Sequence, residues 1–549
     1  MKSLLRKLPH QSSSASPSSQ IPLSLLPPPS STDILTHRTH HGTNLGGIFV
    51  LEKWLFPSLF PGPTNRSSEL DFLTSTTHNL GLRSTREKLE AHWAGSVTDA
   101  LLDELAKAGV TTVRLPLGFW TLGPQFCQNT PFEPYASVYM HAWGFVGEVC
   151  RRSKERGLGV LLDLHALPGN ANGRDHGGTG DGVAGFWEDT DRGVSWRPGG
   201  REAVKFLMGE VVEEKVKGVV GVQVINEAPH WSWERDGEGG LGGWYESVLK
   251  DLEKEGLSGV PVYVSDGWDT QRAVDWSRKY NRVDIEREAG NGGKGYVAGV
   301  VVATSKYFCF SDADKAAPAR GLIENIEKEA EGIEKMGGNV TDHGAGQVVV
   351  TEWSCGLHPT SFAGCDDHKQ VEVRKRFGAT QARLWREKVG GAFYWTGKTE
   401  GGEGEWDFGD MVQKGHVRAP EHASWGFEEV GRRVQVAGEG SERLMKEVLG
   451  AHVGYWDGVT PVERRWGHWR FEAGWRQGWE DAVGFFDSRS KSQERFPKAE
   501  RKGCDTVGLL DLWILKRMRE AGQNEGLAWE WEHGFRQGVK NAEELLLRG

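Results

Sequence analysis

Residues 219–227 read VVGVQVINE, an apolar run that stops abruptly at Asn226 and Glu227. Its apolar residues are continuous rather than alternating, as in a parallel strand covered on both faces. Seven further runs share that character: GGIFVLE (46–52), TTVRLPL (111–117), GVLLDLHA (159–166), PVYVSD (261–266), GVVVATSKYF (299–308), QVVVTEW (347–353) and GAFYWT (391–396). Between them lie segments of 3.6-residue periodicity, such as SVTDALLDELAKAG (96–109) and ARGLIENIEKEAEGIEKMG (319–337), which predict helices. Eight strands alternating with helices is the count of an α/β fold, the (β/α)8 TIM barrel. A doubly wound open sheet is the alternative, but no GxGxxG follows the first run.

This barrel is expected over 38–432, preceded at 1–37 by a Ser/Pro-rich tail whose composition predicts disorder. Beyond 432 the pattern changes, and 433–549 is expected to form a helical domain with an internal duplication. HWRFEAGWRQGWEDAVGFF (468–486) resembles AWEWEHGFRQGVKNAEELL (528–546) at an offset of 60 positions. Trp469 matches Trp529, Glu472 matches Glu532, Gly474 matches Gly534, and Arg476-Gln477-Gly478 matches Arg536-Gln537-Gly538. Large residues at 3–4 spacing imply a packed face, against its twin or the barrel. Glycan binding by these tryptophans is the competing reading.

Composition excludes several classes. The 549 residues carry a net charge of −10 with no concentrated Lys/Arg stripe, which argues against a nucleic-acid partner. No apolar run approaches the roughly 20 residues of a membrane span. MKSLLRKLPHQ and IPLSLLPPP lack the apolar core of a secretion signal, so a cytoplasmic location is expected. Six scattered cysteines without CxxC pairs read as buried thiols. No HxH or HExxH appears, so neither a metal nor a cofactor is expected, and His40 and His41 are expected to be solvated. The 24 tryptophans suit either sugar-stacking clefts or core filling. No residue pattern speaks to the oligomeric state.

In a barrel of this kind chemistry sits at the C-terminal ends of the strands. The polar residues assigned there are Glu52, Arg114, His165, Asn226, Glu227, Asp266, Tyr307, Glu352 and Trp395. Two carboxylates, Glu227 and Glu352, end the fourth and seventh runs. Retaining glycoside hydrolysis needs such a pair: one carboxylic acid protonates the leaving oxygen while the other carboxylate attacks the anomeric carbon.

GTNLGGIFVLEKW, VRLPLG, DLHALPGNANG, INEAP, VTEWS and FYWTGKTE resemble the signature segments of glycoside hydrolase family 5, most closely its fungal exo-β-1,3-glucanases and the group without a secretion signal. The resemblance implies that Glu227 is the acid/base and Glu352 the nucleophile. It implies that Asn226 bonds the sugar 2-hydroxyl, that Arg114 lies beside Glu352, and that Tyr307 hydrogen-bonds the same carboxylate. His165 and Glu52 would bind hydroxyls of the terminal glucose, with Asn172 in or near that pocket, and Trp395 would form a stacking floor. A cis peptide after Trp395 is implied as well.

The sixth run departs from the family. Ser305 stands where the family has a histidine near the nucleophile, and Ala303 replaces a residue that is often acidic. A serine can donate one hydrogen bond but carries no charge, so lowered rather than abolished turnover is expected. The leading expectation is release of glucose from β-1,3-glucan or laminari-oligosaccharides. The alternatives are an intracellular β-glucosidase acting on steryl, lipid or other aglycone glucosides, and a catalytically weak glucan-binding protein.

Overall fold

A computed structural model describes residues 25–60, 62, 66–189, 195–283, 298–459, 466–490, 502–523 and 526–548. Eight parallel strands close into a barrel in sequence order. They are β1 (His40–Asn44), β2 (Thr112–Gly118), β3 (Gly159–Ala166), β4 (Val219–Gln223), β5 (Val262–Ser265), β6 (Val300–Lys306), β7 (Val348–Trp353) and β8 (Gly391–Tyr394), and β1 pairs with β8 to complete the circle. The expected helices are present at Asp99–Lys107 and Ala319–Met336. Every residue of β3 is buried, as its unbroken apolar run required. Leu161, Tyr263, Val301, Val349 and Phe393 pack in one cluster, while their strand neighbours Leu162, Val262, Val300, Val350 and Tyr394 pack in another that includes the surrounding helices. That division is the two-face burial of a barrel strand.

The first strand is not GGIFVLE but HHGTN, six residues earlier. GGIFVLE is a buried loop that follows it, touching β2 through a single Phe49–Leu117 bridge. β1 hides from an apolar-run search because its side chains satisfy polar partners inside the barrel. His40 Nδ1 lies 2.9 Å from Thr112 Oγ1, and the Asn44 amide reaches the Thr351 carbonyl. The expectation that His40 and His41 are solvated is therefore corrected. His40 is buried, and burial lowers its pKa to about 3 and that of His41 to about 4.

The disordered tail is also shorter than residue 37. Ser31–His37 is a helix opened by a Ser30–Asp33 capping box, a composition signal that the surrounding prolines masked. Its Ile34 and Leu35 join the cluster of Leu161, Val220 and Tyr263, so the helix plugs the lower end of the barrel. Residues 1–24, the rest of the expected tail, lie outside the described residues.

The C-terminal region is helical: Phe427–Val459, His468–Phe486, Leu510–Glu520 and Ala528–Arg548. The boundary placed at 433 falls inside the first of these, because the composition changes within a continuous helix. The two duplicated segments pack on each other through their glycines. A Cβ on Gly474 would overlap the Trp531 carbonyl, and one on Gly534 the Phe471 carbonyl. Gly478 and Gly538 meet Phe535 and Trp475 in the same way. Contacts thus run in the same direction along both helices, a parallel crossing at backbone distance that small residues permit. Their core is continuous with the barrel floor, since Trp475, Trp513 and Phe535 share a cluster with Leu161, Val301 and Phe393. No helix among the described residues is long and apolar enough to cross a membrane.

Candidate active site

Arg114 is the hub of the site. It lies inside the barrel near the start of β2 rather than at a strand end, and it is fully buried. A guanidinium there needs an acceptor for each arm of its fork. Nε donates to Gln223 Oε1 at 3.0 Å, and Nη1 donates to Asn44 Oδ1 at 2.7 Å and Glu352 Oε1 at 3.0 Å. Nη2 donates to Asn226 Oδ1 at 2.8 Å and pairs with Asp163 Oδ2 at 2.8 Å. One side chain thereby ties β1, β3, β4 and β7 together directly below the two carboxylates.

A second chain of bonds starts from Asp163. Its Oδ2 lies 2.7 Å from His165 Nδ1, and His165 Nε2 lies 2.9 Å from His176 Nδ1. Burial lowers the His165 pKa to about 3 and pushes His176 well below the usual histidine range. With both rings neutral, the bonds fix the tautomers: each Nδ1–H donates, and His176 turns its Nε2 lone pair toward Glu227 Oε2 at 3.8 Å. Burial also raises Asp163 to about 7, with Arg114 opposing it.

The two carboxyl groups occupy opposite environments. Glu227 follows β4 in a left-handed conformation, φ +43°, a departure that costs a non-glycine residue about 1 kcal/mol or more. Burial and the Glu352 charge raise its pKa to about 8, while a hydrogen bond from Ser305 and the Arg114 charge pull it down. Glu352, on β7, has Arg114 on one oxygen and the Tyr307 hydroxyl on the other at 2.9 Å. Ser305 stands level with Glu352 across the β6–β7 pairing, after a register shift. Its hydroxyl lowers the Glu227 pKa, while the hydroxyl donor to Glu352 is Tyr307.

Most of the remaining expected residues join this cluster. Asn226 has its Oδ1 taken by Arg114, and its Nδ2 faces His165 Nε2 at 3.4 Å. Glu52, from the loop after β1, accepts from Trp54 Nε1 at 2.9 Å, and its other oxygen is buried without a hydrogen bond. Burial, aided by Glu352, raises its pKa to about 8 against the Trp54 bond. Trp395 stacks on His165 with centroids 5.7 Å apart, and its peptide to Thr396 is cis. Gly46 is held to glycine by this ring, because a Cβ there would press on it. Asp266 stands behind, accepting from Thr304 and Thr270.

Asn172 is the exception. Its Oδ1 accepts from the Arg174 backbone at 2.9 Å, its Nδ2 is buried without a partner, and it makes no hydrogen bond to the other expected residues. Asn170, not singled out in the sequence, organises that loop through Arg174 and Thr179.

Asn44, Asp163, Gln223 and His176 were missed. Asp163 and Asn44 stand in the quoted segments DLHALPGNANG and GTNLGGIFVLEKW and could have been found there; Gln223 was lost inside an apolar run, and His176 in a loop without pattern. An aromatic rim was missed as well. Trp406 lies 5.6 Å from Tyr307, 5.5 Å from Trp54 and 6.0 Å from Phe310, and Trp54 and Phe310 are 52% and 60% exposed. Among the described residues, the grouping of His, Cys, Asp and Glu donors able to hold a metal ion lies elsewhere, in the C-terminal helices.

The chain is also similar to known proteins. A family model described as the glucan 1,3-beta-glucosidase 3 C-terminal domain matches residues 437–546. Glucan 1,3-beta-glucosidase 3 of Schizosaccharomyces pombe is 30% identical over 513 residues, covering 92% of this chain and 95% of that protein. A probable glucan 1,3-beta-glucosidase A of Aspergillus fumigatus is 27% identical over 403 residues, covering 69% of this chain and 87% of its own. Among solved structures, rutinosidase from Aspergillus niger superimposes with a TM-score of 0.52 at 18% identity, over 70% of this chain and 99% of that one, a likeness of fold.

Proposed function

The chain belongs to the glucan 1,3-β-glucosidase family of glycoside hydrolases, and from that membership we propose that it releases glucose from β-1,3-glucan or laminari-oligosaccharides by double displacement. Glu352 attacks the anomeric carbon as Glu227 protonates the departing glycosidic oxygen. Glu227 then takes a proton from the water that opens the glycosyl-enzyme, so the β-configuration is retained. The observation that carries this reading is the divergent environment of the two carboxyl groups. One is pushed to about 8 by burial and its neighbour's charge, and the other is paired with a buried arginine and a tyrosine hydroxyl. Two carboxyl groups so separated can serve as acid and nucleophile at one pH.

The supporting residues follow from their bonds. Arg114 occupies the Asn226 carbonyl, which leaves the amide N–H as a donor to the sugar 2-hydroxyl, a contact that strengthens as charge develops at the anomeric carbon. Glu52 offers a buried oxygen without a partner to hydroxyls of the terminal glucose over Trp395, whose ring stacks on His165.

The exposed aromatic rim of Trp54, Trp406 and Phe310 favours a second reading, hydrolysis of glucosides with apolar aglycones, because flat apolar groups stack on such rings. Incubation with laminarin, cellulose, an aryl β-glucoside and a steryl glucoside separates the two. Glucose from laminarin, β-anomer first by NMR, is the expected result. Preferential turnover of the steryl glucoside would transfer the assignment to the second reading, and binding of laminarin without release would leave a glucan-binding protein. Glu352→Gln is expected to retain no more than a few per cent of the activity.

A further inference from the structure

We propose that the C-terminal helices carry a zinc site formed by His452, His468 and Glu530. The three come from separate helices, Phe427–Val459, His468–Phe486 and Ala528–Arg548, and their ligand atoms all lie within 4.8 Å of one another. His452 Nε2 is 3.5 Å from Glu530 Oε2, and His468 Nδ1 is 3.7 Å from the same oxygen. Those separations are too long for good hydrogen bonds. They are close to the roughly 3.3 Å between donors that sit about 2.0–2.1 Å from a tetrahedral zinc ion.

The second observation is the set of unmet hydrogen bonds. Both ring nitrogens of His452, Nδ1 of His468 and Oε2 of Glu530 are buried without a hydrogen-bond partner. His452 and Glu530 have side chains 2% and 0% exposed. Leaving that many polar atoms bare is costly, and buried carboxylates are normally paired or bound to metal.

The surrounding bonds pre-orient the donors. Glu530 Oε1 accepts from the Gly467 backbone at 2.8 Å, which leaves Oε2 as a single-oxygen ligand. His468 Nε2 lies 3.1 Å from Asp457 Oδ1. A carboxylate on the far nitrogen fixes the tautomer that aims the Nδ1 lone pair inward, the usual second partner of a metal-bound histidine. His452 stacks on Phe471 at 4.0 Å, which holds its ring plane. Two imidazoles and a carboxylate suit zinc. His468 is the solvent-accessible member of the set, its side chain 22% exposed.

None of the three residues belongs to the barrel mouth, so the ion acts as a clamp on three helices. The test uses the full chain loaded with Zn²⁺ and dialysed into metal-free buffer. One zinc per chain by mass spectrometry is expected, with a lower melting temperature after chelation and an unchanged kcat below the transition. Co²⁺ in place of zinc should give the visible d–d bands of a four-coordinate site. His468→Gln and Glu530→Gln should lose the metal, and His78→Gln on the surface should keep it. Because the ligand variants can perturb folding, Asp457→Asn, at a mostly exposed position, provides an independent reading: zinc affinity falls about 10–100-fold with the circular dichroism intact. Less than about a tenth of a zinc per chain in the loaded protein would overturn the proposal. Stoichiometry unchanged in His468→Gln and Glu530→Gln would overturn it too, as would unchanged affinity in Asp457→Asn.

Discussion

At the scale of single residues, the proton on Glu227 sets both the activity profile and part of the stability. Its pKa near 8 places the alkaline limb of kcat/KM close to that pH, since this limb reports the acid of the free enzyme. The Ser305 bond lowers that pKa, so Ser305→Ala should move the limb upward, by about one pH unit or less; an unmoved or lowered limb in the pH–rate profile contradicts the contact. The stability sign runs the other way from an ordinary salt-bridged carboxylate. Between about 4.5 and 8 the folded state keeps a proton that the unfolded state has released, so Glu227 weakens the fold progressively as pH rises through that window. Glu227→Gln removes the penalty. Chemical denaturation should find it about 2–3 kcal/mol more stable than wild type at pH 7, with the difference gone by pH 4. Glu227, Glu352 and Asn226 were readable in the sequence because each ends an apolar run where polarity changes in one step. Asp163 and Gln223, partners across β3 and β4, sit inside their runs rather than at the ends. Their polarity answers to Arg114 across the barrel, a partner that sequence distance conceals.

At the scale of elements, seven of the eight strands announced themselves through continuous apolar runs, because two-sided burial leaves that imprint. β1 did not, since a strand whose inward side chains are His40 and Asn44 trades hydrophobicity for internal hydrogen bonds. The glycines of the duplicated helices were visible as a repeat, but their purpose appears only in the pair. Gly474→Ala would drive a methyl group into the Trp531 carbonyl, and Gly534→Ala would do the reciprocal damage. Either should destabilise by about 1–3 kcal/mol, the usual cost of overpacking, measured as a lower denaturant midpoint. The kcat at 25 °C should be preserved, because the substitution lies far from the barrel mouth in the fold. Gly458→Ala meets nothing and serves as the matched control.

At the scale of the molecule, barrel and helices share one hydrophobic cluster, so they should unfold together. Calorimetry should give a single transition, whereas a chain ending at residue 426 should be insoluble or molten, its barrel floor stripped of Trp475, Trp513 and Phe535. A soluble truncated barrel with near-normal melting would refute that coupling. The change of composition at 433 falls within the helix Phe427–Val459: a boundary in sequence need not be a boundary in packing.

The seam between the first strand and the last helices has a consequence for how the chain is made. Thr39 donates its backbone N–H to the Thr506 carbonyl at 2.9 Å, Arg38 pairs with Asp505, and β1 must also wait for β8 to close the ring. During synthesis, therefore, the opening strand meets β2 early but emerges hundreds of residues before its other neighbour, β8, exists. Vectorial folding on the ribosome can build the intervening β–α units, but the ring stays open until β8 is made, and its apolar floor stays bare until the final helices follow. Holding that half-built ring in solution is a task for chaperones, and slowing elongation near the end of the message should tax them most.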